Sequence, residues 1–313
     1  EIGVGALSQL SSCTTFNVSS ENSNFTTDTT GALFDHSKTK LIAFPCGSSA
    51  TTYEIPDTVT TISYGAFSRA ASLKTITIPE SSSLSTIGYG AFAFTTALEK
   101  VNLIPASVTT IGDIPFSKSG VKYIYCADKG TKDRIQNKVN GQLVDVLLPD
   151  ETPAIEFTEN GYTYRIDDGK ALLVSAPKNV ATSTVPSKVT CQGATYPVTG
   201  IWKGAFAISL DWREANSSKD KRNEVITSVD LPASVTQIGE RAFYFCKNLS
   251  KITIQANTVS IDKLAFATQN TSGTTVDFSA VTTLQSNSTD KWAGVKTVIL
   301  NNEDQLDTIK SNV

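Results

Sequence analysis

This chain of 313 residues contains no methionine, a single histidine and no long apolar run. The absence of methionine is either chance or its replacement by a non-standard residue, and it excludes no function. The scarcity of histidine excludes much more. A Ser-His or Cys-His dyad must use His36 or cannot exist, and His36 stands among polar residues in a predicted hairpin turn, where a solvated imidazole is expected. No apolar stretch approaches the ~20 residues of a membrane-spanning helix. The five cysteines, Cys13, Cys46, Cys126, Cys191 and Cys246, are odd in number, widely spaced and free of any Cys-x-x-Cys pair. Neither a disulfide framework nor a zinc site is indicated, and they read as small buried hydrophobes. Cys13 in particular takes the place that Leu73, Leu98 and Leu249 hold elsewhere.

Charge is equally uninformative about partners. Lys and Arg number 27 against 30 Asp and Glu, and the basic residues are scattered. The footprint of nucleic-acid or anionic-membrane binding is therefore absent. There is no Walker-type or dinucleotide glycine loop, and no EF-hand spacing; Asp167-Asp168-Gly169 reads as a turn. Paired carboxylates for glycoside hydrolysis leave no signature at this level, but Asp and Glu fall mainly in turns, linkers and chain ends. No cofactor, metal or catalytic residue is expected.

Repetition is what the chain has. Ile87-Gly88-Tyr89-Gly90-Ala91-Phe92 recurs as Ile62-Ser63-Tyr64-Gly65-Ala66-Phe67, Ile201-Trp202-Lys203-Gly204-Ala205-Phe206 and Ile238-Gly239-Glu240-Arg241-Ala242-Phe243. Weaker copies open at Ile2, Ile111 and Ile261. The intervals from Ile62 to Ile87, Ile87 to Ile111 and Ile238 to Ile261 stay between 23 and 25 residues, the signature of stacked units rather than one globular core. Within a unit, Leu73-Lys74-Thr75-Ile76-Thr77-Ile78 alternates apolar and polar residues toward its end and predicts a short, half-buried strand. Pro79 ends it, because proline cannot donate to a ladder. A Ser-rich turn through Leu84 then leads back to Ile87. One unit cannot bury enough apolar surface to offset the ordering of its backbone, so units must come in runs. A β-sandwich would also give short strands at this spacing, but not Ala-Phe recurring in register with a glycine.

The pattern Ile-Gly-x-x-Ala-Phe, Leu-x-x-Ile-x-Ile-Pro, Ser-Val-Thr-x-Ile-Gly resembles the BspA-like leucine-rich repeats of bacterial surface proteins. The fullest match runs from Val229 to Phe243, and Pro105-Ala106-Ser107-Val108-Thr109-Thr110-Ile111-Gly112 is another. The resemblance covers most of residues 1–126 and 185–300. It implies a right-handed leucine-rich-repeat solenoid, mainly β with short turns or 3-10 segments. It further implies a place outside the cell or on its outer surface, and a role in adhesion or protein binding. It also implies that the outward residues of the strand face are free to vary. Here these are Thr75, Thr77, Lys100, Asn102, Tyr123, Tyr125, Ser228, Asp230, Lys251 and Thr253. Ile114-Pro115-Phe116 departs from the Gly-Ala-Phe pattern, and the unit at Ile201 carries an insertion, Ser209 to Glu224. Long loops on rigid scaffolds often carry function, so Trp212 and Arg213 join the candidate surface.

Two arrays are predicted. The first spans residues 1–148, with a hairpin insertion at 31–45 and a cap at 127–148; the second spans 154–313, with an N-terminal hairpin at 155–175 and a cap at 301–313. Residues 149–153 form a Pro-bearing linker. The caps read as short helices, because Ile135 and Val139, like Ile309 and Val313, share a helical face. Because Ile2 already lies inside a repeat, a trimmed leader is expected. The functional expectation is a non-enzymatic, exported binding or adhesion module whose partner is a host or bacterial surface protein or glycan. A structural spacer and a polysaccharide-acting enzyme are the competing readings.

Overall fold

The computed structural model describes residues 2–8, 10–139, 142, 144–207, 223–286 and 290–312. The chain forms two compact units, Glu1–Pro153 and Ala154–Val313. Each is a mainly β solenoid, and only two short helices are present among the described residues.

In the first unit the coils contribute strands to two sheets. One sheet is all parallel and takes its strands in the order Thr52–Glu54, Thr75–Thr77, Lys100–Ile104, Tyr123–Cys126 and Asp145–Leu147. The other holds Phe25–Thr27, Leu33–Asp35 and Lys40–Ala43, which pair antiparallel, followed by the parallel two-residue strands Thr61–Ile62, Thr86–Ile87 and Thr110–Ile111. These short strands fall where the sequence suggested only a turn. They form because Ile62 and Ile87 are fully buried while their neighbours bond the preceding coil, Thr86 N to Thr60 O at 3.1 Å and Gly88 N to Ile62 O at 2.8 Å.

The Gly-Ala-Phe turn joins the two sheets. Gly65 and Gly90 adopt φ of 58° and 56°, the left-handed region that glycine enters freely. The following phenylalanines point inward and stack from coil to coil, Phe44 on Phe67 at 5.4 Å, Phe67 on Phe92 at 5.3 Å and Phe92 on Phe116 at 4.9 Å. Backbone bonds run parallel to this stack, with Phe67 N donating to Ala91 O and Phe92 N to Pro115 O, each at 2.8 Å. The glycine before the turn has another task. A Cβ on Gly88 would lie 2.6 Å from Ser63 C, and one on Gly112 would lie 2.3 Å from Tyr89 N. Neighbouring coils approach too closely there for any side chain.

Helix α1, Lys129–Lys138, closes the first array. The Asp128 carboxylate accepts from Thr131 N at 2.6 Å, and Ile135 and Val139 are buried. The strand Asp145–Leu147 then returns and pairs parallel with Tyr123–Cys126, so residues after the helix extend the sheet as well as covering it. At the opposite end residues 2–24 contain no strand among those described. The copy at Ile2 reproduces only the turn, with Ala6 N donating to Gly3 O and Ser8 N to Gly5 O. Cys13 is accordingly half-buried, unlike the other four cysteines, because no strand follows to cover it.

The second unit repeats this plan. One sheet runs Thr182–Thr184, Ser228–Leu231, Lys251–Ile254, Thr274–Asp277 and Val295–Ile299, all parallel. The other opens with an antiparallel meander, Ile155–Glu159, Tyr162–Asp167 and Lys170–Ser175, and continues through Ala194–Ile201, Gln237–Ile238, Thr258–Ile261 and Thr283–Ser286. The first meander strand and a second hairpin, Lys188–Cys191 with Ala194–Ile201, were not evident from the repeat. Gln192 and Gly193, with φ of 51° and 83°, supply the turn such a hairpin needs. Phe206, Phe243 and Phe266 form the inner stack, which ends on Phe278 and Trp292. Helix α2, Asp304–Ile309, buries Gln305 and Ile309. Gln305 Nε2 donates to Val281 O at 2.6 Å. Val313, expected to share that buried face, lies outside the described residues.

Candidate functional site

The strand alternation decides which side chains face out. Ile76, Val101 and Ile124 are fully buried, as are Val229 and Ile252, so their neighbours on either side must point away from the core. Thr75, Thr77, Lys100, Asn102, Tyr123, Tyr125, Ser228, Asp230 and Thr253 are half-buried, and Lys251 is exposed. The parallel register sets them in rows. Thr75 pairs with Lys100 and Lys100 with Tyr123; Thr77 pairs with Asn102. In the second unit Ser228 pairs with Lys251, and Asp230 with Thr253.

The rows also contain residues that the sequence reading passed over. Thr52 and Glu54 begin them in the first unit. Thr182 and Thr184 precede Ser228 and Asp230, and Thr275 and Asp277 follow Lys251 and Thr253. A signal was present, since Ile55-Pro56 and Val185-Pro186 end these strands as Ile78-Pro79 ends its own. Tyr53 and Ser183 in the inward place concealed them.

Neighbours partly tie these side chains. Lys100 Nζ lies 4.8 Å from the centre of the Tyr125 ring, a cation–π contact. Tyr123 and Tyr125 stand beside the returning strand Asp145–Leu147, which accounts for their half-burial. Ser228 Oγ donates to Thr182 Oγ1 at 3.1 Å. Lys251 Nζ lies 3.8 Å from Asp277. Hydrogen bonds from the Ser279 hydroxyl and amide, helped by Lys251, hold the Asp277 carboxyl below the usual carboxylate range. The result is two mixed-charge polar faces with tyrosines on the first. Trp212 and Arg213, with most of the insertion, lie outside the described residues.

Reactive groups are not gathered anywhere on these faces. Among the described residues no cluster of three or more His, Cys, Asp or Glu side chains is placed to hold a metal ion. Burial pushes the Cys126 and Cys246 thiols up to about 12, the opposite of what a nucleophilic thiolate needs. Lys178, its ammonium depressed by burial, donates to Ala205 O and Ala207 O and so fastens a turn. His36 is exposed. Among the described residues no helix is long and apolar enough to cross a membrane.

A family model described as BspA type leucine rich repeat region matches in six copies, over residues 40–139 and 221–313. A leucine-rich repeat protein from Bacteroides capillosus is 26% identical over 47% of this chain and 99% of its own, with a TM-score of 0.35. A leucine rich cell surface protein from Faecalibacterium prausnitzii is 18% identical, covering 95% of this chain and 98% of its own, with a TM-score of 0.35. A leucine-rich repeat protein from Eubacterium ventriosum is 17% identical over 80% of this chain and 72% of its own, with a TM-score of 0.36. No curated protein matches the chain.

Proposed function

The chain belongs to the BspA-type leucine-rich repeat family, and from that premise we propose that it is a non-enzymatic binding or adhesion module on the outer surface of a bacterium. The observation that carries this reading is the outward row Thr75, Lys100 and Tyr123 beside Thr77, Asn102 and Tyr125. The core is already closed by Ile76, Val101 and Ile124, so the outward side chains are free to serve recognition. Tyrosines there give contact area at low entropy cost. The second unit supplies Ser228, Asp230, Lys251 and Thr253, and the insertion in the sequence that bears Trp212 and Arg213 is a further contact. The partner is a host or bacterial surface protein or a glycan, reached outside the cell.

The test is an array of extracellular-matrix proteins and glycans probed with the parent chain and with Tyr123→Ala, Tyr125→Ala and Trp212→Ala. Binding that weakens at least tenfold in one of these variants, with unchanged melting, supports the proposal. Binding indifferent to all three removes these surfaces. No binding at all favours a spacer.

A further inference from the structure

The opposite corner of the first unit carries a feature that the fold does not require. Among the described residues of that unit, five large hydrophobic residues are substantially exposed, and four of them, Val4, Tyr64, Tyr89 and Ile114, fall at or next to one place in the Ile-Gly-x-Gly-Ala-Phe turn. Tyr64 and Tyr89 are each 42% exposed. Their rings stack at 5.1 Å with planes within 7°, and Gly5 lies against the Tyr64 ring. The second unit shows that the turn itself does not need such residues. There the same place is held by Lys203, Glu240 and Lys263, with Lys203 and Glu240 forming a 3.0 Å ion pair. An exposed apolar ridge on one array, replaced by charge on the other, marks an interaction surface.

A cleft of about 370 Å³ adjoins the ridge at Tyr64, within the size range of small-ligand sites. Ile2, Phe25 and Ile42 line its apolar side, and Asp35, Lys40 and Ser63 are polar members of the same wall. The Ser63 hydroxyl has no hydrogen-bond partner among the described residues. Burial works against charge on Asp35, yet bonds from the Thr39 hydroxyl, the Lys40 amide and the Ser37 hydroxyl keep its carboxyl below the ordinary value. Among the described residues the cleft therefore offers one carboxylate and one ammonium, with no excess of either sign.

We propose that this cleft and the Tyr64–Tyr89 ridge bind a neutral glycan. The two stacked and part-exposed rings carry apolar ring carbon and phenol hydroxyls side by side, and a pyranose likewise alternates C–H and O–H groups around its rim. A peptide inserting apolar side chains would strip water from Asp35, Lys40 and the phenols without replacing those hydrogen bonds. An acidic glycan would find no surplus cation. This site is separate from the strand faces, so its fate does not depend on theirs.

The whole chain should be titrated by calorimetry with neutral gluco-, galacto- and manno-oligosaccharides of two to six units, and in parallel with uronic-acid oligosaccharides and an apolar peptide library. At least one neutral oligosaccharide is expected to bind. Tyr64→Ala and Tyr89→Ala should each weaken it tenfold or more, while Lys203→Ala and Lys263→Ala leave it unchanged, all with parental melting temperature. Failure of every neutral oligosaccharide overturns the proposal, as does binding indifferent to Tyr64 and Tyr89. Uronic-acid or peptide binding at the ridge in place of neutral sugar overturns it equally.

Discussion

Phe92 and Phe116 stack with ring centres 4.9 Å apart and planes within 9°, both fully buried, although they belong to successive coils. The pair is one rung of a column that also holds Phe44 and Phe67. Replacing a middle rung removes contacts to both neighbours and leaves a void that rigid coils cannot close. Phe92→Ala should therefore destabilise the first unit by about 3–5 kcal/mol. All three tryptophans, Trp202, Trp212 and Trp292, lie in the second unit. Tryptophan fluorescence during urea unfolding thus follows the second unit alone, while far-ultraviolet circular dichroism follows both. The expected outcome is an earlier far-ultraviolet transition with an unmoved tryptophan transition. Equal shifts in both signals would show the loss is not confined to the first array.

Gly112→Ala should be worse than its single added methyl suggests. The new Cβ would meet Tyr89 N at 2.3 Å and Tyr89 Cα at 2.6 Å, and backbone of a packed coil cannot step aside. Overpacking of this kind costs about 1–3 kcal/mol or more. Gly3→Ala, where nothing lies within 4 Å, is the matched control and should melt like the parent. Similar melting of Gly112→Ala and Gly3→Ala would contradict the close approach of coils.

The column and the inward strand residues were legible because identical coils bury identical stations: Ile76, Val101 and Ile252 could be placed from alternation alone, and Phe67, Phe92 and Phe243 from register. The two-residue strands such as Thr61–Ile62 were not, since two residues carry no periodicity and their pairing comes from the coil before. Cys13 was misplaced for a related reason. It matches Leu73 in sequence, but no strand follows to bury it. The outward rows were readable in part, with Thr52 and Thr182 hidden behind hairpins that break the repeat. The cleft beside Tyr64 was invisible, because Ile2, Asp35 and Ile42 meet there only through contacts between distant segments.

Ile114→Gly should stabilise the first unit. The turn places Gly65 and Gly90 at φ of 58° and 56°, and Ile114 is held at the equivalent position at 48°. A β-branched residue in the left-handed region is strained by about 1–2 kcal/mol. Its side chain is 45% exposed, so removing it forfeits little burial. Greater unfolded-state freedom of glycine offsets part of the gain, leaving a net of about 1 kcal/mol or less in the urea midpoint. A lower midpoint would mean that the exposed isoleucine contributes packing larger than its strain.

Alkaline pH should weaken both units through their buried thiols. Cys126 and Cys246 have an ordinary value of 9.0 and are pushed up to about 12, in each case by burial first. Below pH 9 folded and unfolded chains both keep these protons, and the contribution to stability is fully present. Between pH 9 and about 12 the unfolded chain alone releases them, so stability falls as pH rises. Buried Tyr53 and Tyr164, also shifted upward by burial, act in the same direction at higher pH. The urea midpoint should therefore drop between pH 8 and 10.5, and the drop should be shallower in the double variant Cys126→Ala, Cys246→Ala. Iodoacetamide at pH 8 gives a second readout: half-buried Cys13 should be alkylated in the native chain while Cys126 and Cys246 stay unmodified until denaturant is added. Rapid native-state labelling of Cys126 would show that its coil opens and that the thiol is not held in the interior.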